Sequence, residues 1–142
     1  MKISARNVFE GRISGLVDGK VNAEVEITMA GGDRLIAIVT EGSVQSLGLA
    51  LGKPVMAFVK APWVIVLADD VGVKFSARNQ LAGTVESLTK GAVNSEVGIK
   101  LTGGTLVYAV VTNEAVLELG LKPGMPASAL IKASHVVLGV AA

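Results

Sequence analysis

Cysteine is absent from the 142-residue chain, which removes disulfide frameworks, zinc knuckles and thiolate catalysis. Histidine occurs once, at His135, which argues against a histidine-based metal site and against a Ser-His-Asp triad. Charge of one sign is also lacking. Thirteen basic residues against twelve acidic ones leave +1, so no global pull toward nucleic acid or a membrane surface exists. Long apolar runs are missing too: the longest, Pro62 to Ala68, is strand length, far below the roughly 20 residues that cross a bilayer. Met1 to Arg6 carries early charge, but no signal-peptide apolar segment follows, so a cytoplasmic location is expected. What the chain does have is apolar character. With 51% hydrophobic and 18% charged residues, it is not disordered. A chain this small and apolar is expected to bury part of its surface in an oligomer.

A duplication organises the sequence. Ser4-Ala5-Arg6-Asn7 returns as Ser76-Ala77-Arg78-Asn79, an offset of 72 residues. Without a gap, the same offset maps Val21-Asn22 onto Val93-Asn94, Glu24-Val25 onto Glu96-Val97, and Gly31-Gly32 onto Gly103-Gly104. Leu47-Gly48-Leu49 maps onto Leu119-Gly120-Leu121, and Lys60-Ala61 onto Lys132-Ala133. About two-fifths of the paired positions are identical, well beyond chance. The chain therefore reads as two copies of one small domain, 2–68 and 74–140, joined by the short charged stretch from Asp69 to Lys74.

Each copy reads as mostly β. Val21, Ala23, Val25, Ile27 and Met29 alternate with polar residues, the period of a half-buried strand. Gly31-Gly32-Asp33 turns that strand back into Arg34–Thr40. Thr40 then caps a helix of about two turns that stops at Gly48. Phe9–Leu16 forms the first strand, and Val55–Lys60 and Trp63–Ala68 form the last two, separated near Ala61-Pro62. The expected fold class is all-β with one short helix per repeat: two tandem OB-like five-stranded barrels, each closing its own edges.

Polar residues present in both copies are the candidates for shared function. They are Ser4/Ser76, Arg6/Arg78, Asn7/Asn79, Asn22/Asn94, Glu24/Glu96, Thr40/Thr112 and Lys60/Lys132. One shared carboxylate is not an acid–base pair, and His135 aligns with Trp63, so the set does not support catalysis. Nor does it suit a bare metal cation. An arginine fork, a lysine point charge and hydroxyl donors do suit an oxyanion, and two positive charges match a dianion. A helix start after Thr40 and Thr112 would add outward N–H groups.

Taken together, Ser-Ala-Arg-Asn, Gly-x-Val-Asn-x-Glu-Val, Gly-Gly, Leu-Gly-Leu and Lys-Ala closely resemble the Mop domain of molybdate-binding proteins. The likeness covers nearly the whole chain twice, so the sequence is similar to the di-Mop molbindins. That resemblance implies an OB-like fold, cytoplasmic storage or homeostasis of molybdate and tungstate, no enzymatic activity and no catalytic cofactor. It also implies six Mop units around a three-fold axis, hence a homotrimer. The implied principal sites lie between units, with the Arg and the Lys supplied by different units. One motif set is Ser4, Ala5, Arg6, Thr40, Ser43, Lys60, Ala61 and Pro62; the other is Ser76, Ala77, Arg78, Thr112, Lys132, Ala133 and Ser134. Ala115 stands where the first copy has Ser43, and Ser134 where it has Pro62, so sites using the second helix start are weaker or borrow Ser134. A second class of anion site on the three-fold axis is expected around Gly19, Val21 and Asn22 and around Gly91, Val93 and Asn94.

Molybdate already carries its four oxygens, so the protein need only donate hydrogen bonds, and cysteine is unnecessary. The competing reading is an OB-fold binder of single-stranded nucleic acid. It needs stacking aromatics and a basic groove. At 4% aromatic content, with no aromatic recurring at the same position in both copies, the chain offers neither. A fragment of a molybdate-responsive regulator or transporter ATPase is a further alternative. The first repeat begins at residue 4, so a storage protein rather than a helix-turn-helix or P-loop fragment is the expectation.

Overall fold

A computed structural model of the chain describes residues 1–69 and 72–142; of the expected linker, Asp70 and Val71 lie outside the described residues. The first repeat contributes β1 (Asn7–Asp18), β2 (Asn22–Met29), β3 (Arg34–Thr40), α1 (Glu41–Leu47), β4 (Pro54–Val59) and β5 (Ile65–Leu67). The second contributes β6 (Asn79–Lys90), β7 (Asn94–Leu101), β8 (Leu106–Thr112), α2 (Asn113–Leu119), β9 (Pro126–Ile131) and β10 (Val137–Gly139). The mostly β fold with one short helix per repeat is as expected.

Local chemistry sets these boundaries. The Thr40 hydroxyl accepts from Ser43 N–H at 3.1 Å and starts α1, and Gly48 ends it in the left-handed conformation at φ 61°. Thr112 and Gly120 do the same for α2. Ala23, Val25, Ile27 and Met29 face inward along β2 as their spacing predicts, whereas Val21 precedes the strand and is exposed. The last strand of the first repeat is shorter than expected. Ala61–Trp63 form a 3-10 turn with Pro62 in its first positions, so Trp63 and Val64 fall outside β5. Ala133–His135 form the matching turn before β10.

The strand pairing departs from self-contained barrels. One sheet runs β10-β4-β1-β2-β3 and the other β5-β9-β6-β7-β8. Each sheet thus draws its fifth strand from the other repeat: Val66 pairs with Ala129, and Leu138 with Ala57. Two repeats of the same fold give β5 and β10 equivalent partners, so apolar pattern alone leaves the choice open. The exchange also fuses the interiors. Val25, Ile27, Leu35 and Ala37 of one repeat join Val97, Ile99, Val107 and Ala109 of the other in a continuous core, all fully buried. Each Val, Leu or Ile so buried contributes about 1.5–3 kcal/mol relative to exposure.

The two β-hairpin tips meet as well. A Cβ on Gly31 would lie 1.8 Å from the Gly103 carbonyl oxygen, so the contact requires glycine. Asp33 accepts from Gly103 N–H at 2.9 Å and Thr105 N–H at 3.1 Å, tying one tip to the other.

Candidate functional site

The Ser-Ala-Arg-Asn segments lie where the repeats cross. Asn7 is buried, and its side-chain amide makes a two-way clamp on β8: Nδ2 donates to the Tyr108 carbonyl at 2.8 Å and Oδ1 accepts from Tyr108 N–H at 2.7 Å. Asn79 clamps Ile36 of β3 in the same manner, at 2.8 and 2.7 Å. β3 and β8 are the outer strands of their sheets. Each amide therefore substitutes for one residue of a missing neighbour strand and satisfies an exposed ladder position. Recurrence of Asn7 and Asn79 is explained by architecture.

The clamp carries the preceding arginine onto the other repeat. Arg6 donates from Nε and Nη2 to the Glu96 carboxylate at 3.1 and 3.2 Å, and its guanidinium lies 3.7 Å over the Tyr108 ring. The hydrogen bond to Glu96 is the chief reason its pKa is raised. Arg78 pairs with Glu24 through Nη2 and one carboxylate oxygen, and Ile36 stands at the sequence position equivalent to Tyr108. Glu96 is registered with Val110, two residues before Thr112, and Glu24 with Ile38, two residues before Thr40. At about 3.4 Å per residue, the strand position facing each of these glutamates lies roughly 7 Å from the threonine that starts the helix of that repeat.

Strand register then places the lysines. Asn7 pairs with Val59 and Asn79 with Ile131, so Arg6 and Lys60 leave adjoining strand ends, as do Arg78 and Lys132. By register, each arginine thus adjoins the lysine of its own repeat within this chain. The Ala61–Trp63 turn packs on β8, and the Ala133–His135 turn packs on β3. The structure thus brings Arg78, Lys132, Ala133 and Ser134 to the side of the first repeat that leads into Thr40 and Ser43. Arg6, Lys60, Ala61 and Pro62 come to the side of the second repeat that leads into Thr112 and Ala115. Ser4, Ala5, Ser76 and Ala77 precede these arginines, outside the strands. The helix starts donate less than expected, because Ser43 N–H and Ala115 N–H are already bonded to the threonine hydroxyls. Thr40 and Ser43 hydroxyls lie 2.9 Å apart.

The residues expected on the three-fold axis form two like turns in unlike surroundings. Gly19 N–H is bonded to the Asn22 carbonyl and Gly91 N–H to the Asn94 carbonyl, at 2.9 and 2.8 Å. Val21 and Val93 are exposed. Beside the first turn, Glu41 Oε2 is buried without a hydrogen-bond partner. Burial, and next the Asp18 carboxylate, raises the Glu41 pKa. Beside the second turn stand Lys90 and Asn113, and Asn113 Nδ2 donates to the Gly91 carbonyl at 2.9 Å.

A family model for the TOBE domain matches residues 3–66 and again 76–138. The chain belongs to the TOBE-domain family. The chain is 41% identical over 140 residues to the molybdenum-pterin-binding protein MopA of Rhodobacter capsulatus, and 43% identical over 140 residues to the molybdenum transport protein ModE of Azotobacter vinelandii. These alignments cover 99% of this chain but 53% and 52% of those proteins, so the chain spans about half the length of the curated relatives it matches. It also superposes on the cytoplasmic molybdate-binding protein ModG, in a crystal form with molybdate bound, at TM-score 0.94 and 60% identity. That match covers 99% of this chain and 100% of the other. The Mop-type resemblance carried by the repeated motifs is thus borne out.

Some partners in the tandem TOBE pair escaped the sequence reading. Glu24 and Glu96 were in the shared polar set, but as a single carboxylate per copy they carried no chemistry until the structure placed each on the other copy's arginine. Tyr108 gave no signal, because Ile36 occupies its counterpart. Trp63 and His135, aligned in sequence, meet in space with ring centroids 4.8 Å apart. Among the described residues no cluster of three or more His, Cys, Asp or Glu could hold a metal ion, and no helix is long and apolar enough to cross a membrane.

Proposed function

We propose that the chain binds molybdate, and tungstate with it, as an intact tetrahedral dianion at the crossings between its repeats, and serves cytoplasmic storage and homeostasis of that anion. The observation carrying this reading is the twofold recurrence of a donor-rich junction. An arginine and a lysine from adjoining strand ends approach the hydroxyl-bearing helix start of the other repeat. The full-length likeness to ModG, whose structure holds molybdate, supports the same reading. Two cations offset the dianion, while the serine and threonine hydroxyls complete the donors to its four oxygens. Phosphate carries its own proton near neutral pH and finds too few acceptors, so an all-donor site disfavours it.

The residues proposed for the principal sites are Ser4, Arg6, Lys60, Ala61, Pro62 and Thr112 at one junction, and Ser76, Arg78, Lys132, Ala133, Ser134, Thr40 and Ser43 at the other. For the axial class the second turn, Gly91–Asn94 with Lys90 beside it, is the better host. The Asp18 and Glu41 carboxyls oppose an anion at the first. Assembly as a homotrimer would cover the exposed Val17, Val21 and Val93 near these turns.

Isothermal titration of Arg6→Ala, Arg78→Ala and the double variant tests the assignment. Each single variant is expected to lose tenfold or more in affinity, about 1.4 kcal/mol, at one junction only. The lone Trp63, next to Pro62, supplies an intrinsic fluorescence signal. Unchanged affinity and stoichiometry in the double variant would overturn the site, and native mass spectrometry with molybdate reports the oligomer and anion count.

A further inference from the structure

The arginines assigned to the anion are not free. Arg6 presents Nε and Nη2, one complete edge of its fork, to both oxygens of Glu96, and Arg78 is paired with Glu24. All four side chains remain partly solvent-accessible, from 32% for Glu96 to 54% for Arg78, so the pairs can open without unfolding either sheet. The carboxylates come from the opposite repeat and recur at the same position in both copies. We propose that Glu24 and Glu96 are internal counter-anions: each occupies the arginine of an empty site, and an incoming oxyanion must displace it. Affinity at each junction is then set by the glutamate as well as by the donors.

Charge balance favours displacement over sharing. One Arg and one Lys neutralise a dianion, and a retained glutamate would leave the junction at a net charge of −1. It would also hold like charges a few ångströms apart across one guanidinium. Displacement returns the carboxylate to water, where its charge is solvated. The two junctions differ in how firmly the arginine is held. Arg6 is stacked on Tyr108 as well as paired with Glu96, whereas the position equivalent to Tyr108 in the other repeat is Ile36, which has no aromatic face to offer Arg78. A cation over a tyrosine face is held in place. Arg6 is therefore the less readily released of the two.

The test rests on the oxyanion reading yet separates from it. Molybdate is titrated calorimetrically into the wild type, Glu24→Gln, Glu96→Gln and the double variant at low salt. Each single variant is expected to bind about three- to tenfold more tightly at its own junction, the range set by loss of an exposed but well-formed ion pair and of its repulsion. In an Arg6→Ala background, Glu96→Gln is expected to change affinity no further, because the two side chains act as a pair. Wild-type protein that retains no molybdate would sink the functional reading itself. Wild type that binds, with Gln variants that bind equally or more weakly, would overturn the counter-anion proposal and make the glutamates positioning or neutral residues. Should either variant prove unfolded by circular dichroism, the other junction gives an independent reading, and Glu24→Asp or Glu96→Asp, with its shorter reach, is expected to give a smaller gain of the same sign.

Discussion

Asn7→Ala removes the amide that joins the start of β1 to the outer edge of β8. The wild-type side chain is 2% exposed and makes two hydrogen bonds to the Tyr108 backbone, at 2.8 and 2.7 Å. Each such bond contributes about 1 kcal/mol net, and a partly buried N–H or C=O left unpaired costs about 1–3 kcal/mol. The vacated amide volume is comparable to one water, which would recover part of that. The expected loss is therefore about 2–4 kcal/mol, a large share of a typical stability of about 5–15 kcal/mol. In urea, with a slope of about 1–3 kcal/mol per molar, the midpoint should fall by roughly 1–2 M.

Asn7→Asp sharpens the test because shape is kept and one donor becomes an acceptor. The carboxylate would face the Tyr108 carbonyl, acceptor against acceptor, which raises the folded-state pKa of the introduced group. The sign follows: the variant is penalised at pH 7 and recovers as pH falls through that raised pKa, where a protonated carboxyl donates again. Asn79→Ala acts at the other crossing and should cost a similar amount, adding to Asn7→Ala within about 0.5 kcal/mol. A midpoint for Asn7→Ala within about 0.3 M of wild type would refute the edge-clamp account. So would an Asn7→Asp variant whose penalty is the same at pH 4 and pH 7.

Gly31→Ala should destabilise the protein and separate the hairpin tips, because its Cβ meets the Gly103 carbonyl oxygen at 1.8 Å; a melting temperature equal to wild type would contradict the tip contact. Asp33 has its pKa lowered below 3.8: burial pushes it up, but hydrogen bonds from Gly103 and Thr105 outweigh that. Its contribution is present above pH 3.8 and fades as pH falls through the depressed folded value, so Asp33→Asn should cost about 1–2 kcal/mol at pH 7 and progressively less as pH falls below 3.8 in thermal melts. Glu41 has the opposite shift, raised from 4.5, so its charged form opposes folding; Glu41→Gln should be more stable than wild type at pH 7, with the gain vanishing below pH 4.5.

How much was legible depended on whether the cause was local. Thr40 and Gly48 announced α1 because a cap and a left-handed stop are properties of a few adjacent residues, and Gly31-Gly32-Asp33 announced its turn for the same reason. The inward face of β2 was readable from its period, although Val21 fits that period and lies outside the strand. The exchange of β5 and β10 was not readable, since duplication makes two sheets equally acceptable to one strand. Arg6 was readable as a candidate because it recurs, but the same recurrence concealed that Asn7 is structural and that Glu96 is its partner. Long-range pairings of this kind leave no trace in spacing.

The crossing also changes what the differences between the copies mean. Taken along the sequence, each copy has lost one feature: the second copy lacks the Ser43 hydroxyl, and the first lacks the Ser134 hydroxyl. If each site were built from one copy's helix start and the same copy's Lys-Ala turn, the losses would balance. Instead the turn bearing Ser134 packs on β3, the strand leading into Thr40 and Ser43, while the turn bearing Pro62 packs on β8, which leads into Thr112 and Ala115. The hydroxyls therefore gather at one junction and the deletions at the other. On the proposed reading, the Arg78 junction holds its anion with Ser76, Thr40, Ser43 and Ser134, and the Arg6 junction has only Ser4 and Thr112, with its arginine further restrained by Tyr108. Molybdate titration should accordingly resolve two classes of junction site in equal number. Ala115→Ser combined with Pro62→Ser should tighten the weaker class toward the stronger, and a single class in the wild type would show that hydroxyl count does not set the affinity.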